Sequence, residues 1–156
     1  MAGINLREST YKTLFSSCDK LTEISLRNVR GLTTEALVEF VQSKGTNLVS
    51  IYVITSACSL DWSVLPHVAA CCPKLEQLSL LLYDKNPTHE QIATIGRLEQ
   101  VKKLNLLAEQ PLPFSTILQA SKLKHLEYLT LPLQVCTWFL ALYFLHLSSS
   151  SPLCRC

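Results

Sequence analysis

Apolar residues recur along the chain as pairs separated by one spacer: Ile4/Leu6, Ile24/Leu26, Ile51/Val53, Leu78/Leu80, Leu104/Leu106 and Leu129/Leu131. Alternation over so short a run predicts brief strands with one buried face. The first members of successive pairs lie 20, 27, 27, 26 and 25 positions apart. Between pairs the period changes to that of a helix. Leu37, Phe40 and Val41 fall at i, i+3 and i+4, with Thr33 or Thr34 as N-cap and Gly45 closing the helix. Leu65, Val68, Ala69 and Cys72 form a second stripe, opened by Asp61 or Ser63. Pro66 must sit in its first turn, because an interior proline breaks the hydrogen-bond ladder, and Pro73 ends it. Thr88 and Gln91 have capping-box spacing ahead of Ile92 and Ile95. Ser115 is expected to cap a fourth helix that buries Leu118 and Ile117.

Five units therefore open with LTEISL at Leu21, LVSIYV at Leu48, LEQLSL at Leu75, VKKLNL at Val101 and LEYLTL at Leu126. One strand–helix unit cannot bury its own apolar face, but units stacked side by side share a continuous core. The spacing lies within the roughly 20–29 residues of leucine-rich repeats. The expected fold is α/β, a leucine-rich-repeat solenoid of about five strand–helix units, with a parallel sheet on the concave side and helices on the convex side. Residues 1–134 would form the array and residues 135–156 a non-repeat apolar tail.

The string Leu65-x-x-Val68-Ala69-Ala70-Cys71-Cys72-Pro73-Lys74-Leu75-Glu76-Gln77-Leu78-Ser79-Leu80 resembles the cysteine-containing repeats of F-box/LRR proteins. Leu37-x-x-Phe40-Val41 after Gly31-Leu32-Thr33 and the stretch from Leu14 to Leu21 carry weaker echoes. The resemblance covers about residues 4–132. The ninth position of a unit often holds Cys or Asn in that family, and here it holds Val29, Ser56, Tyr83 and Glu109. What the resemblance implies is a substrate receptor for a cullin–RING ubiquitin ligase, which needs an F-box ahead of the repeats. Only a few residues precede the first pair, so the chain reads as part of a longer array or as a truncated product. The alternative is a generic leucine-rich-repeat binder without a ligase role, or one anchored to a membrane at its C-terminus.

From Val135 to Leu147 the chain is apolar on every side, and no Asp, Glu, Lys or Arg occurs between Glu127 and Arg155. A helix over that stretch would rise about 20 Å, short of the roughly 30 Å hydrocarbon core. Extending it to residues 129–147 reaches a spanning length but uses up the fifth strand and takes in Pro132 and Gln134. A membrane anchor is therefore not favoured over an aberrant or buried tail.

Composition narrows the chemistry. Charged residues make up 17% of the 156, against roughly 25% in average soluble domains, and the formal charge is +2. Basic residues are interspersed with acids, so nucleic acid is not an expected partner. Seven cysteines, an odd number without framework spacing, do not read as a disulfide scaffold. Arg7 and Glu8 interrupt the place of a signal peptide, and Asn86 is followed by Pro87, which removes it as a glycosylation acceptor. A cytoplasmic location, with the nucleus as the other compartment, is expected.

The four glycines lack phosphate-loop spacing, and Asp61, Ser63 and His67 lack a nucleophile elbow. The four histidines show no His-x-x-x-His pair. Cys71-Cys72 reads as one buried small hydrophobe beside a neighbour, and Cys154-x-Cys156 lacks further ligands. No catalytic residue, metal site or cofactor is expected, and the chain is read as a non-enzyme.

The strand alternation also selects the outward positions. One column runs Ser25, Tyr52, Ser79, Asn105 and Thr130; the next runs Arg27, Ile54, Leu81, Leu107 and Pro132. Outward strand positions are ordinarily polar, so apolar residues at Ile54, Leu81 and Leu107 stand out. With Tyr52 and Tyr83 as aromatic anchors, these five residues form the expected partner-binding surface, for a protein partner or a ubiquitination substrate. The competing expectation is that they are covered within the molecule.

Overall fold

The structure, a computed structural model, describes residues 13, 17, 18, 20–27, 29–54, 57–83 and 86–132. The Ile4/Leu6 pair and the apolar stretch from Val135 onward lie outside the described residues. In chain order the elements are β1 (Glu23–Arg27), β2 (Arg30–Thr33), α1 (Thr34–Lys44), β3 (Ser50–Ile54), β4 (Ala57–Ser59), α2 (Val64–Cys71), β5 (Gln77–Leu82), α3 (His89–Ile95), β6 (Lys103–Ala108), α4 (Ser115–Ala120) and β7 (Tyr128–Thr130).

Five of the strands make one sheet in the order β1-β3-β5-β6-β7, and every neighbouring pair is parallel. The α/β class and the parallel sheet are as the alternation predicts. Registry is strict: Ile24 faces Ile51, Ile51 faces Leu78, Leu78 faces Leu104 and Leu104 faces Leu129. Two residues on, Leu26, Val53, Leu80 and Leu106 align in the same way. Each unit therefore delivers its apolar pair to the same face, where a slip by one residue would turn the whole set outward.

The helices follow the same order, α1 packing on α2, α2 on α3 and α3 on α4. Their apolar stripes and the strand pairs form one core that includes Leu37, Phe40, Leu65, Val68, Leu78 and Leu104. Loops at the strand starts lock the register. The carbonyl of Thr22 accepts the N–H groups of Val49 and Ser50; Val49, Glu76 and Lys102 do the same for the two residues at the matching place of the next unit.

Two of the four expected caps, at α1 and α3, form as the spacing predicts. Thr33 Oγ1 accepts from the N–H of Ala36 at 3.3 Å. Thr88 and Gln91 form the complete capping box. At α2 neither expected side chain caps the helix: Asp61 Oδ1 accepts from the N–H of Ser63 at 2.7 Å in the turn ahead of it, Ser63 makes no side-chain cap bond, and Pro66 lies in the first turn. Thr34, the alternative cap for α1, is used otherwise: its buried Oγ1 accepts from the N–H of Asp61 at 2.9 Å, tying one unit to the next.

Three features differ from expectation. Gly45 ends α1 with ordinary helical φ of −57°, not the left-handed turn that usually selects glycine there. Glycine is required because a Cβ would lie 2.6 Å from the Cys71 carbonyl oxygen of the neighbouring helix. The left-handed glycine is Gly31, with φ of 78°, in β2. That strand pairs in parallel with β4 in a second, two-stranded sheet whose register shifts between Arg30 and Thr33. No sequence alternation announced this sheet. Finally, α4 buries Thr116 and Ala120, leaving Leu118 41% exposed and Ile117 half-buried, and Ser115 is its first residue without acting as a cap. In a helix this short, stripes one residue apart differ little in pattern, and the i, i+4 pair of small side chains admits the closer approach.

Truncation should separate core from surface. Phe40→Ala is expected to lower unfolding free energy by about 3–5 kcal/mol and Leu65→Ala by about 2–5, whereas Leu118→Ala should cost well under about 2. Urea midpoints at matched slope measure all three. Gly45→Ala, favourable in most helices, should here destabilise by about 1–3 kcal/mol because the added methyl meets backbone.

Candidate protein-interaction surface

The side of the sheet away from the strand-pair core carries the outward residues, and the register aligns them. Ser25, Tyr52, Ser79, Asn105 and Thr130 form one continuous cross-strand row. Of these Ser25 is exposed and the other four are half-buried. In the next row Arg27 pairs with Ile54, and Leu81 pairs with Leu107. Pairing of β3 with β5 ends at Val53–Leu80, so Ile54 and Leu81 flank the point where those strands part.

The five residues expected to form the surface fall as follows. Tyr52 is central in β3, Ile54 is the last residue of that strand, and Leu81 and Leu107 are direct neighbours. Tyr83 lies one residue past β5, still in its alternation, and its N–H donates to the Leu60 carbonyl at 2.8 Å. All five are half-buried, less open than outward strand residues are expected to be. Two adjacent leucines shield each other, and Tyr52 is partly covered by Arg27, whose guanidinium stands 4.6 Å from the ring centroid. That stacking places a cation over the ring face.

Sequence reasoning missed the Arg27–Tyr52 contact, although cross-strand diagonal neighbours within reach of a long side chain are a general feature of sheets. It also missed Asn105 Oδ1, a buried oxygen in the polar row with no hydrogen-bond partner among the described residues. Trp62, almost wholly buried, is the largest core side chain; its signal was the Leu60/Trp62/Val64 alternation. Its indole N–H and the Thr116 hydroxyl likewise lack partners among the described residues.

Elsewhere the chemistry is sparse. Cys72 is buried and Cys71 half-buried, and both are free thiols. Burial, and then the neighbouring Cys71, push the Cys72 thiol up to about 12, so it behaves as a small hydrophobe. A cavity of about 180 Å³ is lined by Ala69, Cys72, Pro73, Arg97, Glu99 and Gln100 among others. Ligand pockets commonly measure about 300–1,000 Å³, so this one is small for an organic ligand. Among the described residues no three His, Cys, Asp or Glu side chains are gathered as a metal site needs. No helix among them is long and apolar enough to cross a membrane, and most of the 129–147 segment lies outside them.

The described residues thus define an α/β protein of strand–helix units with an in-register parallel sheet. Compared with family models, with curated proteins and with solved structures, the chain matches none of them.

The Cys72 thiol provides a pH test. A value raised from about 9 to about 12 means that folding favours the protonated form. Its contribution to stability is complete below about pH 9 and is lost as pH rises from there towards 12. Iodoacetamide at pH 8 should therefore label Cys71 and leave Cys72 unmodified until urea unfolds the chain, as read by peptide mass spectrometry.

Proposed function

We propose that this chain is a leucine-rich-repeat interaction domain, a non-enzymatic solenoid that binds a protein partner on the strand-lined side of the array. The observation that carries the reading is the repeated register: five strands at steps of 25–27 residues present matching outward positions as rows. Rows of this kind suit an extended protein surface, since neighbouring side chains come from different units and vary independently. Tyr52 braced by Arg27 supplies an aromatic anchor with a cation beside it. Leu81 and Leu107 supply an apolar centre.

The finer part of the proposal is a likeness to the substrate-recognition region of F-box/LRR ubiquitin-ligase adaptors, acting in the cytoplasm or nucleus. It rests on the string Cys71-Cys72-Pro73-Lys74-Leu75-Glu76-Gln77-Leu78-Ser79-Leu80. In the structure that string runs from the end of α2 into β5, with Cys72, Leu75, Leu78 and Leu80 buried. The residues that carry the likeness are therefore core-forming, and they support a common architecture more directly than a common partner.

Leu81→Asp combined with Leu107→Asp tests the surface. Affinity capture from cells should recover a partner with the unaltered chain and lose it, by about tenfold or more, with the double variant. The circular-dichroism melt should move by only a few degrees, because both side chains are half-buried. Collapse of the melt would mean that the two leucines are structural and would overturn the assignment. A partner that is captured but never conjugated to ubiquitin in cells would leave the generic binding array in place of the ligase receptor.

A further inference from the structure

Charge is spread unevenly over the outward side of the sheet. In the two rows of the candidate surface Arg27 is the one charged residue; the others are Ser, Thr, Tyr, Asn, Ile, Leu and Pro. Arg27 stands at one end of the aliphatic row, on β1, level with Ile54 of β3. Leu81 on β5 and Leu107 on β6 follow in the same direction across the sheet. Neighbouring strands lie about 4.8 Å apart, so the Leu107 position is about 14 Å from that of Arg27.

The cation at this end is both oriented and unspent. Arg27 is exposed, yet its guanidinium is held over the Tyr52 ring, 4.6 Å from the centroid. Stacking of this kind uses the face of the guanidinium and leaves its N–H donors for an acceptor. No carboxylate pairs with Arg27 among the described residues. Glu23, the acid of the same strand, lies four residues back, about 13 Å along β1. A fixed, unpaired cation beside aliphatic side chains is complementary to a ligand that carries a carboxylate beside aliphatic side chains of its own.

We propose, resting on the reading that this face binds a protein partner, that the partner segment is acidic at one end. Its carboxylate pairs with Arg27, and its aliphatic side chains cover Ile54, Leu81 and Leu107 in that order across the sheet. Side chains on one side of an extended segment recur about every 6.6 Å. The order carboxylate-x-aliphatic-x-aliphatic therefore spans about 13 Å, close to the separation of Arg27 from Leu107. Its middle side chain falls between Ile54 and Leu81, where β3 and β5 part. The ion pair also sets direction: a segment laid the opposite way would bring its carboxylate to Leu107 and leave Arg27 without an acceptor. A basic residue at that end is rejected by like charge.

Display of random peptides against the immobilised full chain tests this. Selected sequences should share an acidic residue two positions from the nearer of two alternate aliphatic residues. A synthetic peptide of that sequence should bind saturably in fluorescence anisotropy. Arg27→Glu in the chain should weaken it by about two- to fivefold, as expected for one exposed ion pair. Exchange of the peptide's acidic residue for Lys should restore binding to the Arg27→Glu chain, which also shows that this variant is folded. Leu81→Asp with Leu107→Asp should abolish binding of either peptide. Peptides that are lost in the double-aspartate chain but are indifferent to Arg27→Glu would overturn the acidic partner and leave the interaction surface standing. Selected sequences without an acidic residue would do the same. A library that yields no peptide sensitive to the double-aspartate substitution would overturn both readings.

Discussion

Everything in this molecule depends on parallel strands paired without slippage across five units. The carbonyl before each strand accepts two N–H groups of the next, which fixes where that strand begins relative to its neighbour. Once the start is fixed, the two-residue period does the rest: apolar pairs go to one side and intervening residues to the other. Units of 25, 26 and 27 residues can obey the same rule because differences in length are absorbed in the connections, away from the ladder. The helices have to fit the same spacing. Gly45 meets the Cys71 carbonyl so closely that a methyl group would not fit, which shows how tightly adjacent units approach at the helix ends.

That constraint explains why outward residues are free to vary while inward ones are nearly uniform. Ile, Val and Leu alternate at the buried places, each fully buried one worth roughly 1.5–3 kcal/mol relative to exposure. The outward row holds Ser, Tyr, Ser, Asn and Thr, and the next begins with Arg followed by aliphatics. A cation at Arg27 resting on Tyr52 is a local solution: the guanidinium covers an aromatic face that would otherwise stand open, and keeps its donors available.

Much of the architecture was legible because each signal was local. Short alternation placed β1, β3, β5, β6 and β7, and the capping box at Thr88–Gln91 is present as spaced. What escaped was set by tertiary context. Pairing of β2 with β4 joins residues from two units whose sequences show no alternation, and a left-handed Gly31 accommodates its uneven register. The face of α4 was misread because a six-residue helix samples less than two turns, so Leu118 and Ile117 seemed as suited to burial as Thr116 and Ala120. Thr34 could equally have been a cap; only the structure brings the Asp61 N–H within 2.9 Å of it. Of the candidate surface, membership of the rows was readable, while the half-burial of all five residues was not, since mutual shielding depends on the register of neighbours.

The orphaned polar atoms carry one more argument about use. Burying an unsatisfied hydrogen-bonding group costs about 1–3 kcal/mol. For Trp62 Nε1 the cost is offset by burial of a large indole, since the same side chain is almost completely buried in the main cluster. Asn105 has no such return. It lies in the outward row between Ser79 and Thr130, is only half-buried, and a hydroxyl side chain there would match its neighbours without stranding an acceptor. Its amide, on the next-to-last strand of the sheet with Leu107 two residues on, is the exception in a row whose other members, Ser25, Tyr52, Ser79 and Thr130, all carry hydroxyls, and stability alone does not select it.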